Sequence, residues 1–248
     1  MERSINKYIS DSGFCSRREA DKYIEQARVC INDEIAMKGN RVNPGDIVTV
    51  DGEKIKTKTQ TVYIALNKPK GITCTSDRQD KTNIIDFVNY KQRIFPVGRL
   101  DKLSDGLIFL TNDGDIVNKI LRAGNQHEKE YRVIVDKPIE GDFLKKMASG
   151  VKILNTLTQK CTVVQEAKNG FKIILKQGLN RQIRRMCESL GYKVLKLTRT
   201  RIMNITLSGI GPGKWRYFTP AEIKTITNMV SDSSKTQEAS SYDDGMNE

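Results

Sequence analysis

The chain of 248 residues is 38% hydrophobic and 29% charged and carries a formal net charge of +12, the composition of a soluble globular protein. No stretch nears the ~18 apolar residues of a membrane helix, and the opening MERSINKYIS has no apolar run behind its charges, so neither a membrane span nor a secretory signal is expected. Five scattered cysteines without a CxxC spacing, and a single histidine, argue against a zinc site and for reduced thiols in the cytoplasm.

Ser4 can cap a first helix that carries Ile5, Tyr8 and Ile9 on one face and stops at Gly13. Ser16-Arg17-Arg18-Glu19 has capping-box spacing, in which hydroxyl and carboxylate satisfy each other's backbone amides. The helix it opens is expected to bury Ala20, Tyr23, Ile24 and Ala27 and to turn Arg17, Arg18, Lys22 and Glu25 to solvent. Short strands are predicted near 29–32 and 46–50, with Asn43-Pro44-Gly45-Asp46 as a turn. These elements make a small independent module, residues 1–58, and the polar, aperiodic stretch 53–61 reads as the linker behind it. A longer α+β body is expected over 59–230. Strands are predicted at 62–67, 107–111, 131–136, 171–176, 194–199 and near 202–207, and helices at 84–89, 116–121, 141–149 and 181–190. Thr219-Pro220-Ala221-Glu222 starts a last helix with a second capping box and proline in its first turn. Helices interrupt the strands irregularly, so a mixed, mostly antiparallel sheet flanked by helices fits better than a βαβ series. Residues 231–248, acidic and nearly free of large aliphatics, are expected to be disordered.

The positive charge is unevenly spread. Residues 61–230 hold 30 Lys and Arg against 15 Asp and Glu, whereas 1–60 hold 11 against 10 and 231–248 hold 1 against 5. Such a surplus attracts the phosphates of nucleic acid by releasing their counterions, or an anionic membrane. On the helix at 181–190 the 3.6-residue period places Ile183, Met186, Cys187 and Leu190 towards the core and Arg181, Arg184, Arg185 and Glu188 on the other side, as a solvated or an RNA-binding face. No GxxxxGK[ST] phosphate loop is present. Gly209-Ile210-Gly211-Pro212-Gly213 reads as a turn, as does Asn112-Asp113-Gly114-Asp115, which lacks the acidic spacing of a calcium loop. His127, the lone histidine, argues against His-assisted nucleophiles and reads as a surface or hydrogen-bonding residue. Carboxylate and cation chemistry remains. Two turn signals bracket a loop that sets Asp101 among Arg99 and Lys102 ahead of an apolar strand. On the residues alone, Asp101 either caps a turn or does chemistry.

The string GRLDKLSDGLIFLTNDG, residues 98–114, resembles the signature GRLDxxSxGLLLLTNDG of the RsuA/RluB/RluE/RluF family of pseudouridine synthases. Lys68-Pro69-Lys70-Gly71, Lys129-Glu130-Tyr131 and Gln182-Ile183-Arg184-Arg185-Met186 resemble further motifs of that family in order and spacing, so the likeness covers about 60–230. Residues 1–58 resemble the RNA-binding domain of the ribosomal-protein-S4 type that the family carries at its N-terminus. The wording INKYIS, CSRREAD, ILRAGN, HEKEY and QGLNRQIRRMCE is similar to the RluF-like subgroup, which acts on large-subunit (23S) ribosomal RNA with a tRNA anticodon uridine as a second substrate class. The resemblance implies isomerisation of uridine to pseudouridine without cofactor or metal. It implies Asp101 as the nucleophile, Tyr131 as the ring that stacks on the target base and assists proton removal at C5, and Arg184 as the partner of the aspartate. Arg99 would help fill the gap left by the flipped base, and Leu100, Lys102, Arg181, Gln182 and Ile183, with Arg17, Arg18 and Lys22 of the first module, would meet the RNA. Leu179 departs from the family, which often has a basic residue after that glycine, and removes one expected phosphate contact. A monomer acting on ribosomal RNA in bacterial cytoplasm is the expected form. The alternatives are a non-catalytic RNA-binding ribosome-assembly factor on the same scaffold and a synthase directed mainly at tRNA.

Overall fold

A computed structural model describes residues 2–56, 60–121 and 126–231. Most of the tail expected to be disordered, from 232 on, lies outside the described residues, as do 57–59 of the expected linker.

The N-terminal module consists of β1 (Arg3–Ser4), α1 (Ile5–Asp11), α2 (Arg17–Glu25), β2 (Val29–Ile31), β3 (Glu34–Ile35), β4 (Arg41–Val42), β5 (Val48–Val50) and β6 (Glu53–Lys54). β1 pairs with β4, and the other strands form a sheet in the order β3-β2-β5-β6. Ile5, Ile9, Ala20, Ile24, Val29 and Val48 meet in its core. The Ser16–Glu19 capping box forms as expected, the Ser16 amide donating to the Glu19 carboxylate at 2.7 Å and the Glu19 amide to the Ser16 hydroxyl at 3.1 Å. Three expectations change. Ser4 stands at the N-cap of α1, but its hydroxyl donates to the Asn6 side chain at 2.9 Å and caps no amide. Ala27 is exposed, because α2 stops at Glu25 and the chain turns through a positive φ of 55° at Ala27 to enter β2. The start of the expected linker belongs to the module: β6 pairs with β5, and Ile55 is buried with its amide bonded to the Val48 carbonyl at 3.0 Å.

The larger domain contains β7 (Tyr63–Lys68), α3 (Ile84–Val88), β8 (Phe95–Val97), β9 (Asp105–Thr111), α4 (Gly114–Leu121), β10 (Lys129–Val135), α5 (Phe143–Ser149), β11 (Lys152–Ile153) and β12 (Thr156–Leu157). It continues with β13 (Thr162–Ala167), β14 (Gly170–Leu175), α6 (Gln182–Ser189), β15 (Val194–Ile202), β16 (Ile205–Thr206), β17 (Trp215–Tyr217) and α7 (Pro220–Met229). Its main sheet runs β13-β14-β10-β15-β9-β7-β17, with β8 added to β9 and β16 to β15. All its pairings are antiparallel except β9 with β15, so the sheet is mixed and mostly antiparallel, as expected. Sequence reasoning missed β8, β13 and β17, as well as the β11–β12 hairpin.

The two halves of the sheet differ. β7 and β9 are buried on both faces, Ala65, Leu107 and Phe109 towards α4 and α7, and Ile64, Leu66 and Ile108 towards α3. That explains their continuous apolar runs. In the other half, Val133, Phe171 and Ile173 pack against Phe143 and Met147 of α5 and Ile183 and Met186 of α6. Each such side chain contributes about 1.5–3 kcal/mol by leaving water. Arg132 and Ile134 on the opposite face stay exposed. The halves join where β9 runs parallel to β15, and there Gly106 lies opposite Arg199 with φ of +106°. A Cβ at that position would sit 2.3 Å from the Arg199 carbonyl oxygen, so the crossing requires glycine.

Candidate active site

The junction of the two half-sheets assembles the site. Lys68 of β7 is in register with Gly106 of β9, Gly106 with Arg199 of β15, and Arg199 with Tyr131 of β10. The loop carrying Asp101 enters β9 beside this row. It is pinned from three directions: the Ser104 amide bonds to the Asp101 carbonyl at 3.0 Å, the Gly71 amide to the Lys102 carbonyl at 2.8 Å, and the Leu100 amide to the Cys74 sulfur at 3.4 Å. Leu100 itself is buried in the core under α3.

Asp101 keeps 33% of its side chain exposed and faces two arginines. The Arg184 Nε lies 3.4 Å from its Oδ2 and an Arg181 Nη lies 3.9 Å from the same oxygen. Arg184 retains only 9% exposure, and both its terminal nitrogens are occupied, donating to the Val194 carbonyl at 3.2 Å and to the buried Ser104 hydroxyl at 3.1 Å. Its Nε is close enough to Asp101 for an ion pair but makes no aligned hydrogen bond. A buried guanidinium without a counter-charge costs several kcal/mol, so Asp101 and Arg184 hold each other in place. The resemblance implies that Arg184 partners Asp101, while the helical period alone sets it on the solvated or RNA-binding side with Arg181, Arg185 and Glu188. Arg184 faces inward, because its long arm spans from the helix to the Asp101 loop and finds three partners there.

Lys68 is fully buried, its Nζ donating to the carbonyls of Pro69 at 3.0 Å and Ile72 at 2.8 Å, which folds the Lys68–Gly71 loop back over the strand end. Burial pulls its ammonium below the usual lysine range, against the opposing pull of Cys74, Asp105 and Asp101. Tyr131 is half-buried between the cores under α3 and α6, with the Arg199 guanidinium 6.0 Å from its ring centroid. Beside it, burial and then the Arg199 charge push Lys129 down to about 8. His127 is buried, not at the surface, and is hydrogen-bonded with the Lys119 backbone; burial lowers its pKa.

The structure gathers Asp101, Arg184 and Arg181 around one carboxylate and leaves Arg99 and Lys102 exposed on the same loop. Three side chains expected to meet RNA point elsewhere. Leu100 and Ile183 are core residues. Gln182 is buried, its Oε1 accepting from the Leu179 amide at 3.0 Å and its Nε2 donating to Gln177 at 3.4 Å, so it shapes the loop ahead of α6. Arg17, Arg18 and Lys22 are exposed on α2, in the other module. Sequence reasoning missed Lys68, Ser104 and Arg199 as site residues. The available signal was a charged residue on the inward side of an apolar strand: Arg199 shares the alternation of buried Leu197, and Lys68 ends the run YIALNK.

Residues 62–189 match the family described as RNA pseudouridylate synthase, and residues 3–48 match the S4 domain. The dual-specificity RNA pseudouridine synthase RluF of Escherichia coli (strain K12) is 58% identical over 232 residues, covering 93% of this chain and 80% of that protein. Ribosomal large subunit pseudouridine synthase B of Bacillus subtilis (strain 168) is 33% identical over 239 residues, covering 93% of this chain and 97% of that protein. Among solved structures, a crystal structure of a pseudouridylate synthase superposes with a TM-score of 0.66 at 26% identity, covering 90% of this chain and 99% of its own.

Proposed function

The chain belongs to the RNA pseudouridylate synthase family and is an RNA pseudouridine synthase, and on that premise we propose that its substrate is a specific uridine of large-subunit (23S) ribosomal RNA, with a tRNA anticodon uridine as a second target. The RluF relative is named dual-specificity and the Bacillus relative is named for the ribosomal large subunit, and both names favour this reading. In the proposed reaction Asp101 is the nucleophile that forms and releases a covalent adduct with the uridine. The N1–C1′ bond breaks, the uracil turns, and a C5–C1′ bond forms; C5 loses a proton and N1 gains one, so the product is an isomer and no co-reactant is consumed. Arg184 holds the carboxylate in line, and Tyr131 stacks on the base and assists removal of the C5 proton. Arg99, Lys102 and Arg181 ring the carboxylate loop and meet phosphates around the extruded nucleotide, Arg99 helping to fill the vacated space. The S4-type module, to about residue 58, contacts RNA through Arg17, Arg18 and Lys22, and the catalytic domain runs on to about 230. We place the enzyme in the cytoplasm as a monomer working without cofactor or metal.

The observation that carries this reading is the Asp101 carboxylate held 3.4 Å from a buried, doubly anchored Arg184. Its test is a map of pseudouridines in 23S ribosomal RNA and tRNA from cells with and without the gene. Loss of a 23S pseudouridine is the expected result. Loss confined to tRNA would reassign the main substrate, and an unchanged map would favour a non-catalytic role in ribosome assembly.

A further inference from the structure

Arg199 has no part in the reaction as described, yet its surroundings are unusual for a charged residue. Only 3% of it is exposed. Its Nε donates to the Leu107 carbonyl at 2.6 Å, which fastens the guanidinium across the parallel β9–β15 crossing. One terminal nitrogen is buried without a hydrogen-bond partner, and among the described residues no carboxylate forms an ion pair with it. Buried polar groups are as a rule satisfied, so an orphan donor calls for a reason. The charge also burdens its neighbours, since it lowers the pKa of both Lys68 and Lys129. What the guanidinium does face is Tyr131, its register partner on β10, with the ring centroid 6.0 Å from Cζ.

We propose that Arg199 is a positioning residue that acts through Tyr131: its guanidinium, anchored to the Leu107 carbonyl, bears on one face of the ring and fixes the plane on which the target base stacks. The inference rests on the proposed stacking role of Tyr131. A cation is attracted to an aromatic face by the ring quadrupole, and more strongly where water is excluded. The anchor cannot drift, because the Arg199 backbone is pressed against Gly106 where no side chain fits. An unbranched apolar substitute fills the space but supplies neither the carbonyl bond nor the attraction. Lysine supplies a charge but cannot hold the carbonyl and the ring together with one nitrogen.

The test uses the full chain with its eight tyrosines replaced by 3-fluorotyrosine, the Tyr131 fluorine resonance being assigned by its loss in Tyr131→Phe. In Arg199→Met the Tyr131 resonance should move while the other tyrosine resonances stay in place, and Arg199→Lys should give a smaller shift. On a 23S transcript tritiated at uridine C5, kcat should fall about tenfold or more in Arg199→Met with KM within about twofold, because a slightly misplaced reacting group costs turnover and not docking. Arg199→Lys should recover part of that loss. A folded Arg199→Met with an unmoved Tyr131 resonance, or with parental kcat, overturns the proposal; if the methionine variant does not fold, the same outcome in Arg199→Lys overturns it. If the parent enzyme releases no label, the functional reading fails, while the fluorine spectra, which need no RNA, still decide the contact.

Discussion

Helices α2 and α6 each carry two adjacent arginines, Arg17-Arg18 and Arg184-Arg185, and use them in opposite ways. On α2 both stand exposed in the first turn, where cations oppose the helix dipole, while Glu19 supplies the cap. Exposed charges of this kind contribute at most about 1 kcal/mol to stability. On α6 Arg184 is buried and committed to Asp101, Ser104 and Val194. Its neighbour Arg185 turns outward to the backbone and side chain of Asn180. Exposed cations can adapt to the phosphates of a large RNA and steer it. A buried cation is fixed by the groups packed around it, so it can only hold other groups still. On the roles proposed for these residues, docking chemistry and reaction chemistry are separated by burial more than by residue type.

The sharpest way to break this contrast is Arg184→Lys. Lysine keeps the charge but cannot reach Asp101, Ser104 and the Val194 carbonyl at once, so the single-turnover rate should fall by about tenfold or more while affinity for a 23S transcript stays nearly parental. A variant as fast as the parent would return Arg184 to the merely basic face. A smaller and different effect is expected from replacing Arg17, Arg18 and Lys22 together by alanine. Affinity should drop, and the slope of log binding constant against log salt should flatten by up to about three units, one for each lost phosphate contact. The rate at saturating RNA should not change; a lost rate with an unaltered slope would mean that α2 serves the reaction.

The smallest effect concerns the cost of burying charge. Burial pushes Lys129 from the usual 10.5 down to about 8. Below pH 8 the folded chain holds an ammonium it destabilises. Between about 8 and 10.5 the folded chain has shed that proton and the unfolded chain has not, so stability rises with pH across this window. Lys129→Met should therefore melt roughly 4 °C or more above the parent at pH 7, with the gap narrowing above pH 8. Lys22→Met, on the exposed face of α2, should melt within about 1 °C of the parent at both pH values.

Local signals were legible in the sequence and long-range ones were not. Both capping boxes, Ser16–Glu19 and Thr219–Glu222, formed where their spacing put them, because each depends on four consecutive residues. The turns at Asn43–Asp46 and around Gly209–Gly213 formed for the same reason. β6 was hidden in a polar stretch because only its pairing with β5 makes it a strand. The inward turn of Arg184 was not legible from period alone, since its partner Asp101 lies 83 positions away. Asp101 itself was conspicuous, as a carboxylate set among cations before an apolar strand. The row Lys68, Gly106, Arg199 and Tyr131 depends on the order of four strands, and no local pattern in the sequence encodes that order.

The central claim, that Asp101 performs the reaction while other residues hold the RNA, is tested most directly by Asp101→Asn. Asparagine preserves shape and most hydrogen bonds but removes the charge and most of the nucleophilicity. Tritium release from uridine C5 and a binding isotherm should be measured on the same 23S transcript. The expected result is release below about one per cent of the parental rate, a barrier increase of roughly 3 kcal/mol or more, with affinity within about threefold. Release above that level at parental affinity would contradict the assignment of Asp101 as the nucleophile.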